Sequence, residues 1–93
     1  MNNNTNGNFD KAYMLKDIKD REKIINDYRK IGYLDREKAI TMIQSLRVND
    51  KEVAQVTTVK LATGAIPFQQ ATNEDIIAEL QMQIDILSAK LLL

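Results

Sequence analysis

Apolar positions along the chain recur mostly at helical spacing. Met14, Leu15, Ile18, Ile25, Tyr28 and Ile31 step at intervals near 3.6 and predict a helix over about 10–31. The stripe is interrupted at Arg21 and Glu22, so a split near Asp20 is expected. Arg29 and Lys30 followed by Gly32 form a stop signal, with cations in the last turn and glycine just past it. Asp35 then caps a second helix over about 36–46, with Leu34 placed to pack on Ala39. Its inward stripe is Ala39, Ile43 and Leu46, widened by Ile40 and Met42. A third start follows at Asn49, three residues before Glu52, with Val48 and Val53 in the staple positions. That helix is expected over about 50–62, although the β-branched run Val56-Thr57-Thr58-Val59 lowers its propensity. Gly64 is its expected terminator.

Residues 65–72 hold the single proline, Pro67, and are read as an extended connector, because Ile66 before it disfavours helix. The last helix starts at Thr72 or Asn73. Thr72 pairs with Asp75 as a cap, Glu74 and Asp75 open the helix, and Lys90 lies near its end, all in keeping with the helix dipole. Within it, Ile77, Leu80, Ile84, Leu87 and Leu91 step three, four, three and four, an a/d seam of about three heptads. On roughly the opposite side run Met82, Ile86, Ala89 and Leu93. A helix apolar on two faces is usually buried on two faces.

These patterns predict an all-α chain: a disordered polar tail at 1–8, a short three-helix module at 9–64, a connector at 65–72, and an amphipathic, coiled-coil-like helix at 73–93. The seam is read as the oligomer interface of a dimer or trimer, and the second stripe as a surface for another protein partner. The competing expectation is that the seam packs inside the chain's own fold. A duplication is not inferred from the similarity of DREKII at 20–25 to DREKAI at 35–40, which is too short.

Composition narrows the chemistry. The chain has 93 residues, one domain's length, and a domain this small buries only about 60% of its unfolded surface. Cysteine and histidine are absent, which removes disulfides, thiolate and imidazole metal ligands, and the usual near-neutral general base. The only serines are Ser45 and Ser88, and the glycines Gly7, Gly32 and Gly64 make no phosphate-cradling run. The expectation is a non-enzyme with no cofactor, metal or catalytic residue. Thirteen basic and thirteen acidic residues cancel, so a polyanion partner is not expected. The most apolar stretch, 76–93, carries Glu79, Asp85 and Lys90, so no membrane span or membrane partner is expected. Neither is a signal peptide, since the Asn-rich start lacks an apolar run.

A DNA-binding alternative rests on residues 37–58. Leu46, Val48 and Val53 occupy apolar positions of a helix-turn-helix with its turn at 47–49. Ile43 stands where a small residue is expected and Arg47 where a glycine is. Asp50 and Glu52 would open the recognition helix and repel phosphates. On this alternative the chain is a small regulator that dimerises through its C-terminal helix.

Residues 24–58, IINDYRKIGYLDREKAITMIQSLRVNDKEVAQVTT, resemble the XkdX-type small proteins of tailed-bacteriophage tail modules. The shared pattern is a Tyr-containing helix, then Gly32-Tyr33-Leu34-Asp35, an acid-containing helix ending near Met42-Ile43, then Val48-Asn49, Glu52-Val53 and Val56-Thr57. The chain departs from it in having Val53 where an aromatic is common and in lacking a glycine after the final Thr. The resemblance implies a phage tail or virion-associated structural protein, present in the host cytoplasm during assembly and then in the virion. It implies no chemistry and no site residues.

Overall fold

Helix α1 runs unbroken over Asn2–Ile31 in a computed structural model that describes residues 2–46, 56–61 and 63–92, with side chains from residue 11 onward. Two expectations change here. The polar segment 2–8, read as a disordered tail, is helical backbone, and no split occurs near Asp20. Met14, Ile18, Arg21, Ile25 and Tyr28 step four, three, four and three, so Arg21 continues the inward stripe rather than breaking it, and it is 1% exposed. Thirty residues at about 1.5 Å each give a helix near 45 Å long. That length matches the longest dimension of the molecule, 46 Å.

Gly32, at φ 73°, ends α1 in the left-handed conformation that glycine adopts most readily, and its N–H donates to the Tyr28 carbonyl at 2.8 Å. Helix α2 follows at Arg36–Gln44 with Asp35 as its N-cap, whose carboxylate accepts from the Lys38 N–H at 3.1 Å. Leu34, Ala39 and Ile43 are buried, and Ile40, Met42 and Leu46 pack partly buried against the core, as the pattern predicts.

The chain then departs from all-α. Strands β1, Thr58–Leu61, and β2, Gly64–Pro67, form an antiparallel hairpin with Val59 opposite Ile66 and Leu61 opposite Gly64. A helix over 50–62 is therefore excluded at its end. The β-branched run favours extended backbone, and Gly64 at φ 129° supplies a turn conformation costly for other residues. The Asn49–Glu52 cap, the Val48–Val53 staple and the turn at 47–49 lie outside the described residues. A lone two-stranded hairpin is marginal in water, and this one is held on the helices. Val59 is fully buried, and the Lys60 N–H donates to the Glu79 carboxylate at 3.1 Å. The expected connector is thus β2 followed by a 3-10 turn at Phe68–Gln70.

Helix α3, Asn73–Leu91, carries both halves of a capping box. The Thr72 hydroxyl accepts from the Asp75 N–H at 3.1 Å, and the Asp75 carboxylate accepts from the Thr72 N–H at 3.0 Å. Thr72→Ala should lower stability by about 1 kcal/mol, the usual cost of losing an N-cap acceptor, read as a shift in the urea midpoint. An unshifted midpoint would mean that the cap is not formed in solution.

Arg36 fastens the start of α2 to the start of α3. It donates to Asn73 Oδ1 at 2.8 Å and to the Phe68 and Ala71 carbonyls at 3.0 and 2.8 Å. The helix α3 itself lies in the middle of the body, antiparallel to α1 and against α2 and β1. Tyr28 of α1 meets Glu74 near the start of α3, whereas Arg21 meets Gln83 further along it.

Candidate functional site

The seam residues of the last helix come together, but within one chain. Ile77, Leu80, Ile84 and Leu87 are 5%, 0%, 6% and 0% exposed, and Leu91 is half-buried against the same core. Met14, Ile18 and Ile25 of α1, Ala39 and Ile43 of α2, Val59 of β1 and Phe68 complete that cluster. Within the single chain the residues expected to form an oligomer interface lie in the intramolecular core, as the competing expectation has it. Side chains already removed from water by α1 and α2 have nothing left to offer a second copy, and heptad spacing alone does not distinguish the two partners. Beyond residues 65–72, the last helix packs along α1 and against α2.

The second stripe stays outside. Met82 and Ile86 are 36% and 40% exposed and Ala89 is exposed, while Leu93 lies outside the described residues.

Beneath the seam is a polar network that the apolar pattern did not announce. The buried Arg21 guanidinium donates from Nε to Gln83 Oε1 at 2.9 Å and to the carbonyls of Asp17 and Met42 at 3.0 and 2.8 Å. Gln83, also 1% exposed, donates to the Ile43 carbonyl at 2.9 Å. Met42 and Ile43 belong to the last turn of α2, whose carbonyls lack the usual helical partner four residues on; the C-cap Ser45 N–H reaches the Met42 carbonyl at 3.1 Å. Arg21 and Gln83 thus cap α2 from two other helices. Burial pushes the Arg21 pKa down, opposed by the charges of Asp17 and then Asp20. Arginine remains charged under any ordinary condition. Its geometry is that of a structural clamp, with three hydrogen bonds that end on one side-chain amide and two backbone carbonyls.

At the junction of α1 and α2 the surface is concave. A hollow of about 140 Å³ is lined by Ile24, Asp27, Ile31, Tyr33, Leu34, Asp35 and Lys38. Ile24 and Leu34 form its buried floor. Ile31 and Tyr33 stand on its rim at 71% and 65% exposure, among the most solvent-exposed large apolar side chains described. The sequence signal for this feature was weak, because both residues flank the helix stop at Gly32 and belong to no complete apolar face. A flatter hollow beside it is lined by Asp35, Glu37, Lys38, Thr41, Met42 and Ser45.

Ion pairs among the described residues are the i,i+4 kind, Lys16–Asp20 at 2.8 Å and Lys23–Asp27 at 3.1 Å, with exposed side chains. Tyr28 donates from its hydroxyl to Glu74 at 2.7 Å, and that hydrogen bond raises the phenol pKa, with desolvation and the Glu74 charge adding to it. The raised value ties this contact to the neutral phenol, so its contribution is complete below about pH 10 and fades as pH rises through the folded-state value. Among the described residues no group of three or more acidic, histidine or cysteine side chains is placed to hold a metal ion, and no helix is long and apolar enough to cross a membrane. No family model, no curated protein and no solved structure matches the chain.

Proposed function

We propose that this chain is a non-enzymatic structural or assembly protein that works by binding other protein surfaces, in a bacteriophage tail or virion. The observation that carries the reading is the rim pair Ile31 and Tyr33 beside a concave, apolar-floored notch. Exposed apolar side chains around a hollow are the usual mark of a protein-binding patch. The phage setting comes from the resemblance over residues 24–58, which includes that notch: Tyr33, Leu34 and Asp35 belong to the shared Gly-Tyr-Leu-Asp pattern. Assembly in the host cytoplasm and then incorporation into the particle follow from the same resemblance.

The DNA-binding alternative has less behind it. The net charge is zero, and β1 begins at Thr58, inside the span a recognition helix would use. The test is mass spectrometry of purified particles of a tailed phage that encodes the chain. Its tryptic peptides should appear in particles or tail-assembly intermediates. Their absence from both, together with sequence-selective duplex binding near the 10⁻⁸–10⁻¹¹ M typical of specific binders at ~150 mM salt, would replace this reading with the regulator.

A further inference from the structure

We propose that the outward face of α1 in one copy packs antiparallel on the outward face of α3 in the next, so that copies stack side by side. The two faces match position by position. The middle of the α1 face is Leu15, Lys19, Glu22, Asn26 and Lys30, all exposed, stepping four, three, four and four. The middle of the α3 face, taken in the opposite direction, is Ala89, Asp85, Met82, Ala78 and Glu74, all exposed, with the same steps. Laid antiparallel, the faces put Leu15 at Ala89, one turn from Ile86, and Asn26 at the small Ala78. They put Lys19 at Asp85 and Lys30 at Glu74. Lys19 and Lys30 stand eleven positions apart, as do Glu74 and Asp85, a separation of about 16 Å along either helix at about 1.5 Å per residue.

None of these four charges is neutralised inside the chain. Lys19 and Lys30 make no hydrogen bond or ion pair among the described residues. Asp85 accepts from the neutral Gln81 amide and Glu74 from the neutral Tyr28 hydroxyl, so each carboxylate keeps its charge and has acceptor capacity to spare. The register within the chain gives the same alignment. Arg21 meets Gln83, and stepping away from that pair along the antiparallel helices brings Lys19 level with Asp85 and Lys30 level with Glu74. A neighbour displaced sideways, without sliding along the helix axes, therefore presents its cations at the height of the acids. Glu22, level with Met82, is the one position without a complement, and desolvating its carboxylate keeps the contact weak. Exposed ion pairs also contribute little each, so the contact belongs to the transient class below about 1,200 Å², with charge setting its register. Two different faces make it heterologous, and its repetition gives a ring or an open filament. It covers the stripe of Met82, Ile86 and Ala89 that the fold leaves outside. It uses neither the notch nor the phage setting, and so goes beyond the function proposed above.

The test is sedimentation velocity on the full chain at two salt concentrations. At ~1 mM chain the weight-average mass should exceed that of one chain in ~0.01 M salt, where charges act over about 30 Å. It should fall back toward one chain in ~1 M salt, where they act over about 3 Å. Lys19→Glu and Asp85→Lys each replace an attraction by a repulsion of similar size, and each should weaken association roughly 2–30-fold. The decisive sample carries both, and should associate like the intact chain because the reversed pair attracts again. A control with Lys19→Glu and Glu37→Lys has the same net charge but no such pair, and should stay weakened. All the substituted side chains are exposed, and helical circular dichroism should not change. Lys30→Glu with Glu74→Lys, the second pair, replaces the first if either variant loses helix. An intact chain that is monomeric at ~1 mM in low salt overturns the proposal and leaves the stripe to a different protein. Association unchanged in ~1 M salt also overturns it, as does a doubly reversed chain that associates no better than the single variants or the control.

Discussion

Replacing Leu80 and Leu87 with Asp should unfold the whole chain, with helical circular dichroism lost from α1 and α2 as well as α3. Both leucines are fully buried between α3 and the rest of the body. Truncation of such a residue to Ala costs roughly 2–5 kcal/mol through lost transfer energy and the cavity left behind. An aspartate there adds the cost of an unpaired buried charge or a raised pKa. Native domains hold only about 5–15 kcal/mol in total, and a chain of this length belongs at the low end. Leu80→Ala alone should therefore lower the urea midpoint sharply, and the double Asp variant should have no folded baseline. A double variant that retained α1 and α2 while losing self-association would instead mean that the seam is an interface between copies.

Arg21→Ala should cost at least about 1–3 kcal/mol, the penalty for a buried acceptor left without its donor, with the packing of the buried arginine stem lost in addition. The loss comes from what is stranded rather than from charge. Gln83 Oε1 loses its Arg21 donor and the Met42 carbonyl keeps only the Ser45 N–H, so the end of α2 loses part of its cap. Arg21→Lys keeps the charge but not the planar fork that reaches three acceptors, so it should fall between the parent and Ala. Gln83→Ala should cost about 1–3 kcal/mol, the penalty for a stranded buried group. The two sites share one network, so the double variant should lose less than the sum. Additive losses in chemical denaturation would show that Arg21 and Gln83 act separately and that α2 is capped in some other way.

The three helices were legible because their signals are local. Asp35 and Thr72 are caps that act within three residues of themselves, and the apolar steps of α2 and α3 depend only on each helix's own period. The partner of the α3 seam was not legible, since the same a/d spacing serves a neighbouring chain or a neighbouring helix of the same chain. Arg21 misled for a related reason. A charge in an apolar stripe reads as a break until Gln83, 62 residues away in the chain, is seen to receive it. The hairpin was signalled by Val56-Thr57-Thr58-Val59 and by Gly64, but the capping pattern at Asn49 and Glu52 outweighed them. The notch arises only when the end of α1 turns back through Gly32 into α2, a juxtaposition no periodicity contains.

Native-state hydrogen exchange on the chain at low micromolar concentration addresses most directly whether α3 is the centre of a single-chain core. Amides of Leu80, Gln83, Ile84 and Leu87 should be as strongly protected as those of Ile18, Arg21 and Ile25, with protection unchanged on further dilution, because one cooperative unit opens at one free energy. Protection of α3 that falls on dilution while that of α1 persists would contradict this, and would return the seam from Ile77 to Leu91 to an interface between copies.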